Sequence, residues 1–124
     1  HYDGNMDNKS AARAFIALGQ ETRLNIFRLV VQRGDAGLCP SQIQELLGVP
    51  AATLSFHLRE LLSAGLLVVE RQSRNLVYRP DGTFAAQLID FLVDDCCGGK
   101  SCGVTPRKTK PPIEADMRSY NILF

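Results

Sequence analysis

Apolar residues recur at helical spacing through most of this chain. From Pro50 to Leu67 (PAATLSFHLRELLSAGLL), Leu54, Leu58, Leu61 and Leu62 fall at i, i+4, i+7 and i+8, one stripe of an amphipathic helix. Ala51, Ala52, Thr53, Ser55, Phe56 and Arg59 lie off that stripe, and all but Phe56 and Arg59 are small. Ala64-Gly65 supplies a helix stop before a new apolar run begins. Upstream, Ser41 to Leu47 is a shorter helical pattern halted by Gly48-Val49-Pro50. Two helices across a short Gly-containing turn make a helix-turn-helix, although the same pattern suits the middle helix of a small bundle. Nearer the N-terminus, Lys9 to Leu18 carries Ala11, Ala14, Phe15 and Leu18 and predicts a first helix, broken by Gly19-Gln20. Glu21 to Arg33 predicts a second, with Leu24, Phe27, Leu29 or Val30, and Val31 facing inward.

The period changes after Leu67. Val68 to Gln72 is a β-like run, Ser73-Arg74 a turn, and Asn75 to Arg79 a second run, closed by Pro80-Asp81-Gly82. Thr83 to Asp94 then predicts a last helix bearing Phe84, Leu88, Ile89, Phe91, Leu92 and Val93. That is more apolar surface than one small core covers, and an exposed stripe of this kind marks an interface. The expected fold is mainly α with a β-hairpin wing (α+β): a winged helix-turn-helix with an interface on its last helix.

Leu47 to Leu67, LGVPAATLSFHLRELLSAGLL, with the wing Val69 to Tyr78, resembles the arsenical-resistance repressor (ArsR/SmtB) family of metal-sensing transcription regulators. The carrying features are the Leu-Gly, the Ser-x-His-Leu at Ser55 to Leu58, the Leu-x-x-Ala-Gly-Leu-Leu close at Leu61 to Leu67, and the basic wing tip. Leu18 to Ile26 (LGQETRLNI) fits the family's second-helix element, and the resemblance spans Ala11 to Asp95. It implies a winged helix that binds double-stranded operator DNA as a homodimer, with the first and last helices meeting across the twofold axis. It further implies DNA contacts from Thr53, Ser55 and His57, with Arg59 reaching phosphate. Phe56, which projects away from Leu54 and Leu58, can pack against a thymine methyl in the major groove. His57 has a plainer reading, a helix histidine bonded to a neighbouring turn. Arg71 and Arg74, with Arg79, suit phosphate or minor-groove contact, or a merely solvated hairpin face. The chain departs from the family pattern at Ala51, where a glutamine is common, and at Ser73, where a glycine is common.

Composition changes this picture little. A chain of 124 residues with net charge +1 is one small domain whose electrostatic attraction for DNA must be local. No run approaches transmembrane length and no signal peptide is apparent, so a cytoplasmic protein with no membrane partner is expected. No nucleophile–base constellation or phosphate loop suggests an enzyme. Residues 1–5 read as an expression remnant, 6–95 as the DNA-binding and dimerisation domain, 96–102 as a thiol-rich segment, and 103–124, Pro-rich and basic, as a disordered extension.

The four cysteines carry the remaining chemistry. By the resemblance, Cys39 falls on the first position of the family's arsenic-binding Cys-x-Cys pair, while Ser41 occupies the second. One thiolate cannot chelate a soft metalloid, and a lone Cys39 also reads as a small buried hydrophobe. Cys96, Cys97 and Cys102 lie within seven residues, with Gly98-Gly99 between to let the chain turn back. Three sulfurs without a nearby histidine suit a soft centre, As(III) and also Sb(III), as inducer. A cadmium, lead or zinc response, an oxidative disulfide switch, or an unstructured tail fit the same residues.

Overall fold

A computed structural model describes residues 6–94. Along the chain run α1 (Asn8–Leu18), α2 (Glu21–Arg33), a single 3-10 turn (Gly34–Ala36), α3 (Pro40–Leu47), α4 (Ala51–Ser63), the strands β1 (Leu67–Gln72) and β2 (Asn75–Pro80), and α5 (Gly82–Val93). It is a winged helix-turn-helix, mostly helical with one antiparallel hairpin.

Local chemistry accounts for the element ends. Asp7 caps α1, its carboxylate accepting the Ser10 N–H at 2.8 Å, and that bond holds its carboxyl below the usual aspartate value. The Gln20 side chain does the same for Arg23 at the start of α2, and Asp81 for Phe84 at the start of α5. Pro40 opens α3, where a missing N–H costs nothing. Gly48 closes it in the left-handed region at φ +71°, a position that a side chain would strain. Val49 and Pro50 complete the turn into α4.

The core forms where the helical stripes converge. Ala11, Ala14 and Ala17 bury one face of α1, and their small side chains let α1 approach its neighbours closely. Ile26 and Val30 of α2, Ile43 of α3, and Leu54, Leu58 and Leu61 of α4 meet them. On α2 the expected inward face is corrected. Leu24 and Val31 are exposed, and Ile26, outside the predicted set, is fully buried. Leu24, Ile26, Phe27, Leu29, Val30 and Val31 together cover most of the helix circumference, so apolar spacing alone does not choose its phase.

The wing is anchored from one side. Leu38, fully buried, exchanges backbone hydrogen bonds with Tyr78 of β2 at 3.0 and 2.8 Å. Gly37 precedes it at φ +71°, and a Cβ there would lie 2.4 Å from Cγ1 of Val77, so the segment reaches the strand only as glycine. Arg79 ties the same junction: its Nε donates to the Asp35 carbonyl at 2.7 Å and its Nη1 to Glu70 at 2.5 Å. At the far end the two-residue loop Ser73-Arg74 joins Gln72 to Asn75, with Ser73 at φ +61°. On α5, Leu88 is buried and Phe84 and Phe91 pack on the core, while Ile89 and Leu92 are 53% and 62% exposed.

Candidate nucleic-acid interface

The turn Gly48 to Pro50 sets α4 against α3, and the buried stripe of α4 decides what its other side presents. Because Leu54, Leu58 and Leu61 face the core, Thr53, Ser55, Phe56 and Arg59 are turned outward, all exposed. Ala51 and Ala52 keep the N-terminal end of this surface low, which suits entry into a groove about 12 Å wide. In the hairpin, Arg71 and Arg74 are exposed as well. Six of the seven expected DNA-contacting residues, Thr53, Ser55, Phe56, Arg59, Arg71 and Arg74, are therefore open to solvent.

The seventh is corrected. His57 is only 6% exposed and cannot reach a groove as α4 stands. Its position is three residues after Leu54 and four before Leu61, on the flank of the buried stripe, and that spacing was a signal that the ring turns inward. Nδ1 of His57 lies 3.2 Å from Nη1 of Arg23. A guanidinium only donates, so Nδ1 is the acceptor and the ring is the neutral tautomer with its proton on Nε2. Burial lowers the pKa of His57 below 6.5, and the charge of Arg23 lowers it further against a smaller opposing pull from Glu60. Arg79 is likewise taken out of the set of free cations by its bonds to Asp35 and Glu70.

Arg23 is the residue that sequence reasoning missed. Its Nε donates to the carbonyl of Ala17 in α1 at 2.8 Å, Nη1 reaches His57, and the guanidinium carbon stands 5.9 Å from the centre of the Phe56 ring. The Phe56 and His57 rings are themselves 5.5 Å apart, tilted by 60°. No local motif foretells this, since Arg23 and His57 are 34 residues apart.

Cys39 stands at the N-cap of α3. The Gln42 side chain accepts the Cys39 N–H at 2.8 Å, and the Cys39 carbonyl accepts the Gln42 N–H at 3.0 Å, a capping-box arrangement with the sulfur alongside. Among the described residues no group of three or more His, Cys, Asp or Glu side chains is placed to hold a metal ion. Cys96, Cys97 and Cys102 lie outside the described residues. So do residues 1–5, read from the sequence as an expression remnant, and residues 103–124, read as a disordered extension. A cavity of about 240 Å³ beside Phe27, Arg28, Val31 and Gln32 of α2 includes none of the expected site residues. No described helix is long and apolar enough to cross a membrane.

Known proteins share this arrangement. A family model described as a helix-turn-helix domain matches residues 18–70, from the end of α1 through α4 into β1. An uncharacterised HTH-type transcriptional regulator of Bacillus subtilis, YbzH, is 32% identical over 90 residues, covering 63% of this chain and 90% of that protein. The structure of an ArsR-like transcriptional regulator from a Rhodococcus species superposes with a TM-score of 0.61 at 27% identity, covering 68% of this chain and 76% of that one. A homodimeric winged helix-turn-helix DNA-binding domain from Mycobacterium bovis, described as a possible ArsR-family regulator, gives a TM-score of 0.57 at 26% identity, covering 81% and 97%. The relatives are transcriptional regulators, and the superposed structures share the winged helix-turn-helix fold of this chain: the chain belongs to the ArsR family of winged helix-turn-helix transcriptional regulators.

Proposed function

We propose that this regulator is a cytoplasmic, homodimeric repressor that binds a two-half-site operator and is released when As(III), or Sb(III), is bound by Cys96, Cys97 and Cys102. The observation that supports operator binding most directly is the outward face of α4. Thr53, Ser55, Phe56 and Arg59 stand exposed opposite a fully buried leucine stripe, beside a hairpin carrying the free Arg71 and Arg74. Small polar and apolar side chains read base edges, and the arginines hold the phosphates that set register. The twofold assembly is supported by the exposed Ile16 on α1 and Ile89 and Leu92 on α5, and by the homodimeric state of the similar Mycobacterium bovis domain. The inducer assignment rests on donor chemistry: three thiols close in sequence, directly after α5, are soft ligands for a soft trivalent centre. Cys39 is a poorer candidate, because it is a single thiol at the N-cap of α3 and position 41 is a serine.

The test uses a duplex enriched by the wild-type protein from a randomised pool, with a scrambled duplex as control. Ser55→Ala is expected to lower the ratio of selected to scrambled affinity, and Arg74→Ala to weaken both alike. Release is then titrated anaerobically with arsenite and a non-thiol reductant. Arsenite is expected to release the wild-type and Cys39→Ser proteins but not Cys96→Ser. Release by cadmium or zinc alone would reassign the inducer, and release by peroxide with none by arsenite would replace the three-thiolate site by a disulfide switch.

A further inference from the structure

Arg23 occupies a position that neither a core residue nor a DNA ligand requires. It is a charged side chain of α2, outside the helix-turn-helix, and it makes directed contacts to two other helices at once. Nε is fixed on the Ala17 carbonyl at the end of α1, and Nη1 on the Nδ1 of His57 in α4. Its own backbone N–H is held by the Gln20 side chain at 2.8 Å. The guanidinium so immobilised lies 5.9 Å from the Phe56 ring, a cation–π contact. Phe56 is the large apolar side chain on the outward face of α4 and is 46% exposed. An exposed phenylalanine without such a neighbour samples several rotamers and spends part of its time folded back on apolar surface.

We propose that Arg23 is a positioning residue for operator discrimination, clamping His57 and Phe56 so that the Phe56 ring is presented to the groove. This rests on the reading of α4 as the DNA-contacting helix. The planar fork of arginine is needed to serve Ala17, His57 and Phe56 from one group. A lysine at the same place keeps the charge and loses the geometry. Arg23 therefore acts through Phe56, and its effect falls on the choice between sequences rather than on attraction to phosphate.

A double-mutant cycle on the selected and scrambled duplexes tests this, with urea unfolding run on each variant. Arg23→Lys is expected to lower the selected-to-scrambled affinity ratio by roughly three- to tenfold, the worth of one cation–π contact, while the salt dependence of scrambled-duplex binding stays unchanged. Phe56→Ala is expected to lower the ratio as well, and adding Arg23→Lys to it to change the ratio no further. Additive losses, or an Arg23→Lys protein with undiminished discrimination, overturn the proposal. A shallower salt dependence in an Arg23→Gln protein, which removes the charge, overturns it too, because Arg23 would then be a phosphate ligand. Should Arg23→Lys not fold, Phe56→Leu decides: it keeps apolar bulk without an aromatic face, and an unchanged ratio overturns the clamp. A wild-type protein that enriches no duplex at all overturns the DNA-reading assignment itself, whereas a discriminating wild type with an additive cycle overturns only the role of Arg23.

Discussion

The imidazole of His57 sits where burial and the Arg23 guanidinium both disfavour its cation. Its folded pKa is thus below the unfolded value of 6.5. Between those two values the unfolded chain binds more protons than the folded one, so stability rises with pH through that window. The contribution is fully present above about pH 6.5 and is lost as pH falls toward the folded value. The urea midpoint of the wild-type protein is expected to drop between about pH 7.5 and about pH 5.5, and His57→Asn, which keeps an acceptor for Arg23 without a titrating ring, to flatten that drop. Equal slopes in the two proteins would show that His57 is not the group responsible. Cys39 is a second side chain whose surroundings define it. At the N-cap of α3 its sulfur, a weak acceptor, lies beside the Gln42 N–H, which the Cys39 carbonyl already holds at 3.0 Å. Cys39→Ser is therefore expected to hold or raise the thermal midpoint, because a hydroxyl caps better than a thiol, and Cys39→Ala to lower it by less than the ~1 kcal/mol typical of a hydroxyl or carboxylate cap. If alanine were as stable as cysteine, the cap would contribute nothing.

Each element is closed by its own local chemistry, and the hairpin is the one closed under strain. Ser73 holds φ +61° as the first residue of a two-residue loop, a conformation that favours glycine and costs other L-residues about 1–2 kcal/mol. Ser73→Gly is expected to recover part of that cost and raise the melting temperature by several degrees, about 4–8 °C for each kcal/mol in a domain of this size. A lower melting temperature would mean that the serine side chain or the entropy of the unfolded chain outweighs the relieved strain. The other end of the hairpin gains its hold from tertiary bonds, Leu38 to Tyr78 and Arg79 to Asp35, which fix the wing base and leave Arg71 and Arg74 free beyond it.

The whole molecule leaves apolar surface uncovered at two places expected to lie together in the proposed dimer. Ile16 on α1 is 72% exposed, and on α5 Ile89 and Leu92 are 53% and 62% exposed, beyond what scattered surface residues explain. Leu92→Glu is expected to shift the protein to monomer in sedimentation at micromolar concentration and to abolish tight binding to the paired half-sites while leaving the fold intact, since Leu92 makes no part of the buried core. A Leu92→Glu protein that remains dimeric would place the interface elsewhere.

Much of this is legible in the sequence. The leucines of α4, the Gly48-Val49-Pro50 turn, the wing and the ends of the helices follow from spacings and caps that act within about one turn or one hairpin. The outward set Thr53, Ser55, Phe56 and Arg59 follows from the leucine stripe in the same way. The phase of α2 was not legible, because its apolar residues cover most of the helix circumference and the choice of Ile26 and Val30 depends on where the neighbouring helices pack. Nor were the inward turn of His57 onto Arg23, 34 residues away, or the capture of Arg79 by Asp35, 44 residues away. Those pairings exist only when distant segments have been brought together by burial of the core. Packing is what decides which arginine remains exposed and which becomes part of the scaffold.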